Sequence, residues 1–163
     1  MNKLSVEFRD IETWIFDLDN TLYHSSINLF GQIDKRMCDY VSEFLKIPAS
    51  EAYKVQKSFF REHGTTLRGM MECHNMDPGP YLDYVHDIDF SNIKPDKVMA
   101  NALDAFPKHK IIFTNATTNY AKRVIKYLEI DRHIENIFDI IDADYIPKPA
   151  PEIYSQFIDK FNI

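Results

Sequence analysis

The apolar residues follow strand-like spacing in three short stretches of the chain. Residues 14–16 (W-I-F) form an apolar run of high β propensity, which predicts a buried strand that ends at Asp17. A similar run predicts a second strand over 110–113, and a third is expected near 138–141. Each of these runs is short and is followed by polar or turn-forming residues, as expected where a chain leaves a sheet.

Helical spacing dominates the long stretch 24–95, in which no convincing strand is found. Apolar residues recur at three- and four-residue steps over 30–45, which predicts an amphipathic helix ending before Pro48. Ser50 is the expected N-cap of the next helix. The segment 64–69 (G-T-T-L-R-G) is predicted to be a loop, and shorter helices are expected beyond it.

The rest of the chain alternates helices with the predicted strands. One helix is expected over 96–106, another over about 117–128, and a last one opens at Pro151. Such alternation predicts a doubly wound parallel α/β sheet. The predicted division is an α/β core made of residues 1–23 and 96–163, with 24–95 inserted as a helical unit.

Composition and charge exclude several classes of function. The chain has 163 residues, 45% of them hydrophobic, and a formal net charge of −6. This charge gives no general attraction to nucleic acid or to an anionic membrane, and no basic run appears. The N-terminal residues are interrupted by charges, and no apolar run has the length of a membrane span. We therefore expect a cytoplasmic protein with neither nucleic-acid nor membrane partners.

Polar side chains follow the ends of the predicted strands. Asp17 and Asp19 come after the first strand, Thr114 and Asn115 after the second, and Lys148 after the third. Because such ends share one edge of a parallel sheet, these residues are expected to converge. Two close carboxylates raise each other's pKa unless a cation lies between them, which indicates Mg²⁺ or acid/base chemistry. A carboxylate nucleophile, an acid, a hydroxyl and a lysine suit phosphoryl transfer.

Each cluster also has a purely structural interpretation. The two aspartates fit a surface turn. Thr114 and Asn115 fit a cap for the helix expected near Thr117. Lys148 fits an exposed loop lysine, because flanking prolines mark loops in general. The order of the three clusters along the chain favours a site.

The ordered motifs resemble those of a known superfamily. D-L-D-N-T at 17–21, T-N-A at 114–116 and K-P at 148–149 look like motifs one to three of the haloacid dehalogenase superfamily of phosphohydrolases. The resemblance implies a Rossmann-like sheet with 24–95 as its α-helical cap. More narrowly, D-N-T-L-Y, G-T-T-L-R-G, F-T-N-A and K-P-A-P-E-I-Y resemble the pyrimidine 5′-nucleotidase branch.

The resemblance implies a role for each motif residue. Asp17 is the nucleophile that forms an aspartyl phosphate, and Asp19 protonates the leaving alkoxide and later activates water. The Asp17 carboxylate and the Asp19 backbone carbonyl hold Mg²⁺. Thr114 and the backbone after it, including Asn115, bind phosphoryl oxygens. Lys148 neutralises charge on the nucleophile and the phosphate.

The substrate implied by the resemblance is a small phosphate monoester, specifically a pyrimidine nucleoside 5′-monophosphate. Thr65 and Arg68 of the 64–69 segment are the substrate-binding candidates outside the core, with Arg68 reaching a base or ribose. A solvated loop cation is the equal alternative for Arg68. Two other functions stay open: a phosphatase for another small phosphate, such as phosphoglycolate or a sugar phosphate, and an inactive binding module.

A fourth family motif, an acidic pair at the end of another strand, has no counterpart in the sequence. After Lys148 the chain supplies one helix and stops at Ile163, and Asp159 lies within the helical pattern. We therefore expect a truncated version of a longer enzyme. In that case the strand over 14–17 becomes an exposed sheet edge.

Overall fold

A parallel three-stranded sheet forms the centre of the structure. The computed structural model describes residues 11–106 and 109–163. The strands are β1 (Thr13–Phe16), β2 (His109–Phe113) and β3 (Asn136–Phe138), in the order β1-β2-β3. Together with helices on both faces, this arrangement confirms the predicted α/β class.

The strand register places the carboxyl ends of the strands side by side. Phe16 is paired with Ile112, and Ile112 in turn with Ile137. Asp17 therefore follows β1 at nearly the level at which Thr114 follows β2. In a parallel sheet this edge is where ligands bind.

Seven α-helices lie within the described residues, and most of them match the predicted positions. They are α1 (Leu29–Leu45), α2 (Ala49–His63), α3 (Thr66–His74), α4 (Pro78–His86), α5 (Lys97–Ala105), α6 (Thr118–Tyr127) and α7 (Pro151–Phe161). The stretch 24–95 is helical and carries no strand, as predicted. None of the described helices is long and apolar enough to cross a membrane.

The two faces of β2 bury different clusters of apolar side chains. Ile112 packs into the larger cluster, which includes Val124 of α6. Its neighbours Ile111 and Phe113 pack into a smaller one with Phe157 of α7. Because successive strand residues point to opposite faces, α6 and α7 cover opposite sides of the sheet.

The prediction that the first strand is buried was wrong. Ile15 is 50% exposed, and the side chains of Trp14 and Phe16 are only partly buried. The reason is the position of β1 at the edge of the described sheet, where it pairs with β2 alone. An edge strand covered on one side keeps its apolar composition without being enclosed.

Two local predictions in the helical stretch were also wrong. Ser50 does not cap α2, because the helix begins at Ala49 with Pro48 as its N-cap. The segment 64–69 is not a loop beyond its first two residues, because Thr65 caps α3 by accepting a hydrogen bond from the Arg68 N–H. Gly69 is a helical residue, and a Cβ there would overlap the side chain of a neighbouring phenylalanine in α2.

The third strand ends earlier than predicted, at Phe138 rather than near Ile141. The cause is Asp139, whose Oδ1 accepts hydrogen bonds from the backbone N–H groups of Ile141 and Asp142 at 2.9 and 2.8 Å. This turn removes the chain from the sheet although the following residues are apolar. Asp142 therefore does not lie at a strand end, and its carboxylate binds Lys160 at 2.5 Å.

Asp139 is expected to be important for stability. Its carboxylate is buried and also accepts a hydrogen bond from the Thr118 N–H at 2.7 Å, so three backbone donors depend on it. Asp139→Ala is expected to lower the free energy of unfolding by about 3 kcal/mol or more, since the donors lose a charged acceptor. Urea unfolding measures the change, with the exposed Asp159→Ala of α7 as control. Equal stability of the two variants would contradict this role.

Candidate active site

Asp17 lies at the end of β1 with both carboxylate oxygens held. Lys148 Nζ donates to Oδ1 at 2.7 Å, and the Thr21 hydroxyl donates to Oδ2 at 2.9 Å. The same Nζ donates to the Phe113 carbonyl at the end of β2, at 2.6 Å. The Asp17 side chain is 45% exposed. It is therefore oriented, has a cation beside it, and can be reached by a substrate.

Asp19 lies in a different environment, although only two residues away. The hydroxyls of Tyr23 and Tyr120 both donate to its Oδ1, at 2.5 and 2.8 Å. Burial raises the pKa of Asp19, and this effect outweighs the two tyrosine hydrogen bonds, which lower it. Within the described residues no hydrogen bond reaches Oδ2. One oxygen is thus fixed, and the other is available to carry a proton.

A tight turn after β1 separates the two carboxylates. The carbonyl of Leu18 accepts hydrogen bonds from the N–H groups of Thr21 and Leu22. Leu18 itself is fully buried, so the residue between the two aspartates anchors the turn in the core. Asn20 has φ 60°, a left-handed conformation that asparagine tolerates better than most residues. The sequence D-L-D-N-T therefore suits this turn.

The two tyrosines remain hydrogen-bond donors at neutral pH. Burial raises the pKa of Tyr23 and of Tyr120, and the Asp19 carboxylate raises both further. His86 stacks on Tyr120 with ring centroids 4.7 Å apart. Burial lowers the pKa of His86 to about 4. A neutral imidazole therefore supports Tyr120 without adding a charge near Asp19.

Asn115 holds the lysine loop against the second strand. Its Oδ1 accepts from the Lys148 backbone N–H at 2.8 Å, and its Nδ2 donates to the Lys148 carbonyl at 3.5 Å. Thr114 is buried, and its Oγ1 accepts from the Ala116 N–H at 3.0 Å. The capping alternative does not hold for these two residues, because Thr117 is the N-cap of α6. Asn115 thus sets the position from which Lys148 reaches Asp17.

The two candidates from the helical stretch differ in placement. Thr65 lines a cavity that also includes Asp19. Arg68 forms an ion pair with Glu72, one turn further along α3. It also lines an open cavity whose wall includes Lys148. Substrate binding by these residues stays a prediction.

Four residues at or near the site were missed by the sequence predictions. Tyr23 stands four residues after Asp19 within D-N-T-L-Y, and this spacing was an available signal. Tyr120 is 101 residues from Asp19 and reaches it only because α6 follows β2. Gln56 and His86 line the cavity that contains Asp19 but have no local sequence signature.

Comparison with known proteins identifies the family. A model of haloacid dehalogenase-like hydrolases matches residues 11–163. The chain belongs to this family. It is also similar to Phosphate metabolism protein 8 of Saccharomyces cerevisiae, with 27% identity over 160 residues, covering 88% of this chain and 49% of the relative. The chain thus spans about half the length of this curated relative. The narrower resemblance to pyrimidine nucleotidases stays a prediction.

Hydrolases of this family generally use Mg²⁺, and the donors of the site suit that ion. The Asp17 carboxylate is exposed, and the Asp19 backbone carbonyl follows in the same turn. Mg²⁺ prefers oxygen ligands, keeps several waters and often needs only one or two carboxylates with substrate phosphate. Among the described residues no group of three or more His, Cys, Asp or Glu side chains surrounds a metal position. The Asp17 carboxylate and the Asp19 carbonyl are thus oxygen donors of the kind that Mg²⁺ prefers.

Proposed function

We propose that the chain hydrolyses phosphate monoesters through an aspartyl-phosphate intermediate. The observation that supports this proposal is the contrast between two neighbouring carboxylates. Asp17 is exposed and bonded to Lys148, which suits a nucleophile, whereas burial raises the pKa of Asp19, which suits an acid. Membership of a hydrolase family is consistent with this chemistry.

In the first step a carboxylate oxygen of Asp17 attacks phosphorus, and the bond from phosphorus to the ester oxygen breaks. Asp19 gives its proton to the departing alkoxide, so an alcohol leaves. Lys148 balances negative charge on the nucleophile and the phosphoryl oxygens, and Thr114 with the backbone after it donates hydrogen bonds to those oxygens. Mg²⁺ held by the Asp17 carboxylate and the Asp19 backbone carbonyl would add charge neutralisation on the phosphate.

In the second step the Asp19 carboxylate, now deprotonated, takes a proton from a water molecule. The water oxygen attacks phosphorus, and the bond between phosphorus and the Asp17 oxygen breaks. Inorganic phosphate leaves, Asp17 is restored as a carboxylate, and Asp19 is again protonated. Tyr23 and Tyr120 hold Oδ1 of Asp19 throughout, so proton transfer takes place at Oδ2.

For the substrate we propose pyrimidine nucleoside 5′-monophosphates, with residues 24–95 acting as a cap over the site. A cavity of about 380 Å³ between the sheet edge and these helices supports the role of a cap. Its wall combines Asp19 and Asn115 of the sheet edge with residues of α1, α2, α3 and α4. Cavities of this size accommodate small ligands. The choice of a pyrimidine nucleotide as substrate rests on the motifs that resemble the pyrimidine nucleotidase branch.

Phosphate release tests the proposal. The substrates are UMP, CMP, p-nitrophenyl phosphate, phosphoglycolate and glucose 6-phosphate, each with Mg²⁺ and with a chelator added. We expect release that depends on Mg²⁺ and is fastest for UMP or CMP. A preference for phosphoglycolate or the sugar phosphate would replace the nucleotide assignment by the alternative phosphatase. Nucleotide binding without release from any substrate would favour the inactive binding module.

A further inference from the structure

Two residues that line the mainly apolar cavity beside Asp19 each carry a buried polar atom without a partner. Gln56 Oε1 and the Tyr81 hydroxyl form no hydrogen bond with any described residue. Both side chains are about 1% exposed, and both residues line the cavity. Buried polar atoms in proteins are nearly always hydrogen-bonded, because an unsatisfied one is costly. Because both residues line the cavity, a ligand bound there is the candidate that supplies the missing partners.

The orientation of the Gln56 amide is fixed by its neighbour Asp34. Gln56 Nε2 donates to the Asp34 carbonyl at 3.1 Å and to Asp34 Oδ1 at 2.8 Å. Lys57 donates to the same carboxylate oxygen at 2.7 Å, which keeps Asp34 in place. Since both Asp34 atoms are acceptors, the amide must present its NH₂ group to them. Oε1 is thus an acceptor that requires an N–H or O–H donor.

The Tyr81 hydroxyl can either donate or accept. Burial raises the pKa of Tyr81, so the hydroxyl keeps its proton at neutral pH. Its ring is held by an edge-on contact with Tyr40, with centroids 5.1 Å apart. The hydroxyl therefore has a defined position. It complements Gln56, because a ligand group that carries both a donor and an acceptor satisfies the two side chains together.

The remaining wall indicates the shape of the ligand. Apolar side chains such as Ile33, Leu67 and Val85 form much of it. Phe30 and Phe60 also line the cavity while remaining 43% and 58% exposed, so aromatic rings stand where a ligand can contact them. Aromatic rings favour flat partners. Because Asp19 lines the same cavity, the cavity adjoins the position of the reacting end of a substrate.

We propose that this cavity binds the leaving group of the substrate, and that Gln56 and Tyr81 select a planar ring bearing an N–H donor beside an acceptor. The hydrogen-bonding edge of a nucleobase, where a donor and an acceptor are adjacent, has this chemistry. The inference rests on the proposed phosphatase function and deepens it by assigning two specificity-determining residues. Neither residue touches Asp17, so their effect falls on substrate choice rather than on bond breaking.

Two variants test the assignment against two substrates. Tyr81→Phe and Gln56→Met remove the proposed contacts, and Tyr40→Phe and Gln156→Met are matched controls. Gln156 has an unpartnered Oε1 in α7, away from the cavity. UMP carries an N–H donor on its base, whereas p-nitrophenyl phosphate has a flat leaving group without one. Each cavity variant is expected to lower kcat/KM for UMP about 3- to 10-fold. The loss for p-nitrophenyl phosphate should be clearly smaller, because its leaving group offers no N–H donor to these two side chains.

Thermal unfolding and nucleoside binding separate the possible outcomes. Tyr81→Phe removes a hydroxyl with no partner in the chain, so its unfolding temperature should equal or exceed that of the wild type. Uridine binding, measured by calorimetry, should weaken in both cavity variants and in neither control. If uridine binding shows this pattern but no substrate releases phosphate, the proposed function is refuted and the subsite is retained. Equal losses for both substrates, or unchanged uridine binding, would show a water-filled cavity and overturn the inference.

Discussion

Asp17→Asn is expected to abolish phosphate release, with a loss of at least about 10⁴-fold in kcat. The amide oxygen of asparagine is a poor nucleophile and cannot form the acyl phosphate on which the second step depends. The fold should persist, since the exposed pair with Lys148 contributes only about 0 to 1 kcal/mol. Lys148 also keeps its hydrogen bond to the Phe113 carbonyl. The measurement is phosphate release from UMP, together with thermal unfolding of both proteins.

A matched control for this variant lies in α1. Asp39 is a surface carboxylate bonded to Lys35 at 2.6 Å. Asp39→Asn therefore removes the same charge and a similar ion pair, and we expect its activity to equal that of the wild type. Acid quenching during turnover supplies a second measurement, because phosphate should remain attached to the wild-type protein and to the control. Residual turnover in Asp17→Asn with phosphate still bound to protein would assign the nucleophile elsewhere.

The predictable part of the site is the part determined by strand ends. An apolar run followed by carboxylates places Asp17 and Asp19 at the end of β1 from local sequence alone. Lys148 and Asn115 are 33 residues apart, and their contact follows once the sheet is known to be parallel. The order of the motifs therefore contained most of the information about the sheet edge.

The unpredicted part depends on contacts between elements that carry no local signal. Tyr120 belongs to the apolar face of α6, and nothing in its neighbourhood indicates that its hydroxyl reaches Asp19. Gln56 looks like an ordinary polar residue on a helix, but α1 and α3 enclose it. An error at a strand boundary arises where a side chain binds nearby backbone N–H groups and ends the strand. The Asp139 side chain ends β3 although the apolar residues after it fit a longer strand equally well.

Asp19→Asn is expected to lower kcat for UMP about 10²- to 10⁴-fold, because no acid then protonates the leaving alkoxide. The loss in the first step should be much smaller for p-nitrophenyl phosphate, whose leaving phenolate is stable without a proton. The second step still needs Asp19 to activate water. Rapid mixing should therefore show a burst of nitrophenolate, close to one equivalent per enzyme, followed by slow turnover. Absence of the burst, with equal losses for both substrates, would contradict the role of Asp19 as an acid.

The same substitution should stabilise the protein at neutral pH. The amide oxygen of asparagine can still accept the hydrogen bonds from Tyr23 and Tyr120, and the amide avoids the cost that burial imposes on an ionisable carboxyl group. An unfolding temperature higher by a few degrees is expected, since about 1 kcal/mol corresponds to roughly 2–4 °C in a domain of this size. The exposed Asp159→Asn is the control for the loss of one negative charge and should not show this gain.

The pH dependence of that gain follows from the raised pKa of Asp19. Below its ordinary value of 3.8, the wild-type carboxyl is neutral in both the folded and the unfolded chain, so the variant has no advantage. As the pH rises, the unfolded chain ionises first, and the wild type loses stability until the pH passes the folded pKa. The advantage of Asp19→Asn should therefore grow from acid toward neutral pH and then level off. Urea unfolding of both proteins across this range measures it. A gain that is constant with pH would show that burial of the Asp19 charge is not its cause.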